Sequence, residues 1–133
     1  MARITGLGGV FFKARDPKAL LSWYRNHLGL TPEPESDSAV FEWRDALDPA
    51  RKGHTVFAMF RDDSRYFEPS SKSFMVNFRV ADLHRVLGEL RAEGIQVDDK
   101  VEESEFGRFG WIMDPEGNRI ELWEPPSEGG YAP

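Results

Sequence analysis

The chain repeats its own frame at a spacing of about half its length. Asp16 and Asp82, 66 residues apart, each open a stretch with apolar residues at helical spacing. Asp48 and Asp114 are also 66 apart, and each precedes a proline. Gly29 and Gly94, which close the two helical stretches, are 65 apart. The Asp48 match is the weakest, because the residues after Asp48-Pro49 and Asp114-Pro115 differ. Repetition at this period means two copies of one supersecondary unit, neither able to bury its hydrophobic face alone.

In the first copy, Leu7 to Ala14 alternates as a strand. Val10, Phe12 and Ala14 fall on one face, with Gly9, Phe11 and Lys13 on the other. Asp16-Pro17 then caps a helix with Leu20, Leu21, Tyr24 and Leu28 as its stripe, and Gly29 stops it. Ala39 to Arg44 and His54 to Phe60 are further strands, with Phe57 and Met59 facing away from Val56 and Ala58. Arg61 to Lys72 is polar and connects the halves. The second copy starts with Ser73 to Val80, where Met75, Asn77 and Arg79 share a face. A helix capped by Asp82 and stopped by Gly94 follows, with Leu83, Val86, Leu87 and Leu90 as its stripe.

This pattern predicts an α+β fold. Two paired βαβββ modules, about residues 4–62 and 72–125, form a curved, mostly antiparallel eight-stranded sheet around a cleft. Helices cover the convex face. The whole is a single domain, 1–133, with a flexible Pro- and Gly-rich tail at 126–133.

The most informative stretch is Arg108 to Pro125. An apolar run meets Asp114-Pro115-Glu116-Gly117-Asn118, whose Pro, Gly and Asn suit a tight turn. A hairpin results. In its second strand Ile120 and Leu122 point one way; Arg119, Glu121 and Trp123 point the other. Glu121 is thus a lone acid between a cation and an indole, on the face opposite the core.

Net charge is −6, with no strong basic cluster, so nucleic acid is not an expected partner, and a cationic guest is mildly favoured over an anionic one. The absence of cysteine excludes a disulfide framework and a thiol nucleophile. No stretch reads as a signal peptide or membrane span, so a cytoplasmic protein with no membrane partner is expected. No phosphate-loop, nucleophile-elbow or zinc-protease motif occurs. Four Trp and ten Phe are many for 133 residues, and some would line a cavity.

The run Gly9-Val10-Phe11-Phe12-Lys13-Ala14-Arg15-Asp16, with Trp23-Tyr24 and Leu28-Gly29-Leu30, resembles the opening strand and helix of the vicinal oxygen chelate superfamily. That superfamily includes glyoxalase I, bleomycin-resistance proteins, fosfomycin-resistance enzymes and extradiol dioxygenases. Val76 to Leu83 with Gly94-Ile95 is similar to its second half, and Asp114 to Leu122 to its closing signature. The resemblance implies a cleft with metal-ligand positions on four strands, which fall here at Gly9, Phe57, Met75 and Glu121. Only Glu121 suits a hard cation. His27 and His84 lie on predicted helices, and alternation turns His54 away from Phe57. No metal and no other cofactor is therefore expected.

The resemblance and the lone acid together imply a bleomycin resistance-like module that binds a small aromatic or amphipathic molecule in a metal-free cleft. The alternative is an enzyme of lyase, isomerase or dioxygenase type, acting on a small carbonyl or hydroxy compound with Glu121 as base. Phe11, Phe57, Met59, Met75, Asn77, Arg79, Trp111, Arg119 and Trp123 are the candidate ligand contacts. For Arg79 and Arg119 the other reading is an ion pair with Glu121; for each aromatic it is plain core. Phe106 to Phe109 is either a lid or a hairpin tip. Family habit adds a homodimer.

Overall fold

The structure is a computed structural model and describes residues 3–126; the expected tail lies outside the described residues from 127 onward. Its elements run β1 (Ile4–Ala14), α1 (Pro17–Leu28), β2 (Ser38–Arg44), β3 (Lys52–Arg61), β4 (Phe74–Val80), α2 (Leu83–Ala92), β5 (Glu102–Ser104), β6 (Gly107–Met113) and β7 (Arg119–Glu124). One open, mixed sheet contains the strands in the order β2-β3-β1-β4-β7-β6-β5.

The duplication is visible in the pairing. β1 runs parallel to β3, and β4 parallel to β7. β2 lies antiparallel to β3, and β6 to β7. The antiparallel β1–β4 pair joins the halves, with Val10 opposite Val76, its own counterpart 66 residues on. Among the described residues the sheet has seven strands, not the expected eight. Only the second half has an additional strand, β5, which pairs with β6. The corresponding part of the first half contains Pro32 and Pro34, which cannot donate to a ladder.

Both helices begin as their sequence requires. Asp16 accepts a hydrogen bond from Ala19 N at 3.1 Å, and Asp82 one from Arg85 N at 3.2 Å. Gly29 adopts φ 72° and closes α1 with a left-handed cap, a conformation that costs glycine little. Leu28, expected on the apolar stripe, is exposed; the Gly29 turn brings Leu30 onto the Leu21 cluster instead.

The two helices lie on one face of the sheet. Leu83, Val86 and Leu87 of α2 are buried against Val80, Leu122, Ile112 and Ile120. Burying side chains of this size contributes about 1.5–3 kcal/mol each. Leu21, Leu20 and Tyr24 of α1 pack on Ala14, Phe12, Phe57 and Met59. On the opposite face Phe11, Met75 and Trp111 form a separate cluster with Phe67, and with Tyr66 partly buried against it. Tyr66 and Phe67 come from the connection between β3 and β4, which therefore packs onto the cleft face. No helix among the described residues is long and apolar enough to cross a membrane.

Candidate functional site

Four strands align one residue each across the cleft face. Glu121 on β7 pairs with Asn77 on β4, Asn77 with Gly9 on β1, and Gly9 with Val56 on β3. The β1 ladder shifts register between Leu7 and Gly9, leaving Gly8 as an extra residue. A Cβ on Gly8 would fall 2.1 Å from Asn77 Oδ1, and one on Gly9 would fall 2.7 Å from the Phe11 ring. Asn77 Oδ1 and the Phe11 ring stand where those side chains would be, so the glycines let both approach β1. A cavity of about 170 Å³ lies beside them, lined by Gly8, Phe11, Val56, Asn77, Phe106, Phe109, Glu121 and Trp123.

Glu121 is 2% exposed and accepts three hydrogen bonds. Asn77 Nδ2 donates to Oε1 at 2.6 Å, while Tyr66 Oη and Trp111 Nε1 donate to Oε2 at 2.6 and 2.8 Å. All three partners are neutral. Burial pushes the carboxyl above its ordinary value, against the opposing pull of these three donors and of the Arg119 charge. The Tyr66 hydroxyl is raised as well, by burial first and then by the neighbouring Glu121 charge.

Neither arginine forms the expected ion pair with Glu121. Arg119 donates to the Tyr66 carbonyl, pairs with Asp98 Oδ2 at 3.5 Å, and lies 4.8 Å from the centroid of Trp111. Arg79 lies between the rings of Trp43 and Trp123, at 5.4 and 5.0 Å. Burial lowers its pKa, and the nearby Arg51 adds to the effect.

Of the expected ligand contacts, Phe11, Asn77 and Trp123 line the cavity beside Glu121. Trp111 reaches Glu121 from the facing position on the neighbouring strand β6, and Met75 is fully buried in the same cluster. Phe57 and Met59 lie on the other face, under α1; Phe57 contacts Tyr24 and Phe12 with ring centroids 5.3 and 5.4 Å away. Their strand alternation was legible, and the cleft face of β3 is the one bearing Val56 and Ala58.

The same parity corrects the row of metal-ligand positions. Val10 pairs with Phe57, and Val76 with Ile120, so the first half is three residues longer between equivalent points. The counterpart of Glu121 is therefore Ala58, not Phe57. His54 consequently shares the cleft face of β3, where it faces Glu42 Oε2 at 3.5 Å. Gly9, Ala58, Met75 and Glu121 offer one carboxylate, and that carboxylate is already bound to three donors. These residues do not fit a divalent metal, and no group of three His, Cys, Asp or Glu among the described residues is placed to hold one.

Sequence reasoning missed Tyr66, Gly8 and Val56 as site residues. The adjacent aromatics Tyr66-Phe67 within a polar connection were the available signal. Phe106 and Phe109 belong to a hairpin tip that is also a wall of the cavity. Trp123 Nε1 donates to the Phe106 carbonyl at 2.7 Å and fixes that tip.

Comparison with known proteins agrees with this architecture. The model of a glyoxalase-like domain matches residues 9–123. No curated protein matches the chain. Methylmalonyl-CoA epimerase from Mycobacterium tuberculosis is similar, with a TM-score of 0.60 at 19% identity, over 96% of this chain and 93% of that one. A Streptomyces coelicolor methylmalonyl-CoA epimerase in complex with 2-nitronate-propionyl-CoA gives 0.66 at 19%, over 93% and 99%. A glyoxalase/bleomycin resistance protein/dioxygenase superfamily member from Vibrio splendidus 12B01 gives 0.55 at 12%, over 89% and 98%. At these identities the likeness is one of fold. With most of its length matched by the family's model, the chain belongs to the glyoxalase-like domain family.

Proposed function

We propose that this protein binds a small aromatic or amphipathic molecule in the cavity beside Glu121, without a metal in the family's positions. One observation carries the reading. The cavity is walled by Phe11, Val56, Phe106, Phe109 and Trp123, while its polar side chains, Asn77 and Glu121, converge from neighbouring strands. An apolar chamber with a few placed polar groups is the usual form of a small-molecule site. Trp123 in the wall supplies a direct signal. Titration with small phenols and aromatic amides should quench tryptophan emission saturably, and Gly8→Leu, which fills the chamber, should abolish the effect. Quenching that persists in the filled variant would place binding elsewhere.

A second reading makes the same site catalytic, with Glu121 as a general base. The raised Glu121 carboxyl at the cavity wall favours it, because a base works best with its pKa near the operating pH. The epimerases among the structural neighbours show that this fold accommodates enzymes. Glu121→Gln separates the readings. A binding protein changes in affinity alone, whereas an enzyme loses turnover far more than binding.

A further inference from the structure

Two buried side-chain atoms among the described residues lack any hydrogen-bond partner, Asn77 Oδ1 and Arg79 Nη1. They are two residues apart on β4, so strand alternation puts both side chains on the cleft face, about 7 Å apart along the strand. Asn77 is 1% exposed and Arg79 7%. Buried polar groups are ordinarily satisfied, and one left unpaired costs about 1–3 kcal/mol, more when charged.

Their chemistry is complementary. The amide nitrogen of Asn77 is committed to Glu121, so its carbonyl oxygen, which accepts and cannot donate, is turned toward the Gly8 gap in the cavity wall. Arg79 only donates. It has no carboxylate within ion-pair distance among the described residues, and the charge noted near it is Arg51, of like sign. Trp123 links the two positions, lining the cavity with Asn77 and stacking under the Arg79 guanidinium. On the other side of Arg79, the half-buried Trp43 rests where Gly6 and Gly53 have no Cβ, their ideal Cβ positions being 2.6 and 2.3 Å from its ring. Trp43 belongs to the edge strand β2 and covers the guanidinium.

We infer that the ligand of this cavity is a small aromatic carboxylate with a hydrogen-bond donor at its far end. The donor engages Asn77 Oδ1, the ring lies on Trp123, and the carboxylate engages Arg79 as Trp43 yields. This deepens the proposed function and rests on it. It departs from the expectation that an acidic protein prefers a cationic guest, because a buried guanidinium stacked on the cavity's Trp123, with Nη1 unsatisfied, outweighs screened charges on the surface.

Three probes decide it by tryptophan fluorescence and calorimetry. 4-Hydroxyphenylacetate has both end groups, 4-hydroxyphenylacetamide lacks the anion, and phenylacetate lacks the donor. The first should bind at least tenfold more tightly than either of the others, and Arg79→Met should erase the advantage of acid over amide. If amide and acid bind equally to the unaltered chain, the inference falls and the cavity reading stands. If none of the three binds, both fall. Should Arg79→Met not fold, the acid–amide comparison on the unaltered chain decides alone.

Discussion

Asn77 donates its amide nitrogen to Glu121 Oε1 at 2.6 Å across the parallel pair β4–β7, while the oxygen of the same amide has no partner. The carboxylate sets the orientation of the amide, because an ionised acid accepts and cannot donate. Register does the rest, since the two residues face each other directly. A buried acid surrounded by donors thus turns an acceptor toward a cavity, and the behaviour of the site follows from that acid.

Glu121 should make stability depend on pH in a definite direction. Its folded-state carboxyl is raised above the ordinary value of 4.5 by burial, so the folded chain holds the proton more tightly than the unfolded one. The resulting stability is fully present below 4.5 and is lost as pH rises through the folded value. Glu121→Gln cannot titrate, and its amide also sets a donor against donors. The unaltered chain should therefore be the more stable, by a margin that shrinks as pH rises. Urea unfolding of both proteins from pH 4 to 8 reads that margin, and parallel curves would remove the titration from the account.

Tyr66→Phe deletes one of the two donors to Glu121 Oε2 while keeping the ring stacked on Phe60 at 5.3 Å. A hydrogen bond to a charged acceptor is worth about 1.5–3 kcal/mol, and a loss in that range is expected at neutral pH. The Glu121 carboxyl should move further upward, because the Tyr66 hydroxyl is the largest of the groups holding it down. Carbon-13 titration of the Glu121 carboxyl would show the shift; a midpoint that stays in place or falls contradicts the assigned donor.

Gly8→Ala places a methyl group 2.1 Å from Asn77 Oδ1 and 3.0 Å from the Trp123 ring. Neither neighbour is free to retreat: Asn77 is tied to Glu121, and Trp123 Nε1 to the Phe106 carbonyl. Overpacking of this kind costs about 1–3 kcal/mol, and the cavity should shrink with it. A Tm equal to that of the unaltered chain, with ligand binding intact, would show that β1 relaxes around the bulge.

The outline of the fold was legible because its determinants are local. Two aspartate caps, two glycine stops and strand alternation can each be read from a few neighbouring residues. Strand alternation put Phe11 on one face of β1, Asn77 on β4, and Glu121 and Trp123 on β7, and all four line the cavity. The site was misread at Phe57 because the metal row was placed by analogy, although alternation already separated Phe57 from Val56. The 66-residue offset of the helix caps does not persist to β3, where three additional residues in the first half move the match to Ala58. Tyr66 could not be placed at all. Its bond to Glu121 spans 55 residues of chain; the adjacent aromatics Tyr66-Phe67 mark a connection that seeks burial, but nothing local fixes where on the sheet it folds back.

The two helix caps, equal in sequence, should differ in worth. Removing an N-cap aspartate costs about 0.5–2 kcal/mol, because one N–H of the first turn loses its acceptor. At the start of α1, Asp16 accepts from Ala19 N, with no second side-chain acceptor there among the described residues. At the start of α2, Asp82 receives Arg85 N, and Glu124 from β7 also accepts from Leu83 N at 2.9 Å. The second acid keeps a first-turn donor satisfied and holds negative charge at the positive end of the helix when Asp82 is gone. Asp16→Ala should therefore lower Tm more than Asp82→Ala, and Glu124→Gln combined with Asp82→Ala should lose more than the two single changes added. Thermal unfolding of the four variants tests this. Equal losses for the two aspartates, with simple additivity in the double variant, would show that Glu124 does not share the cap.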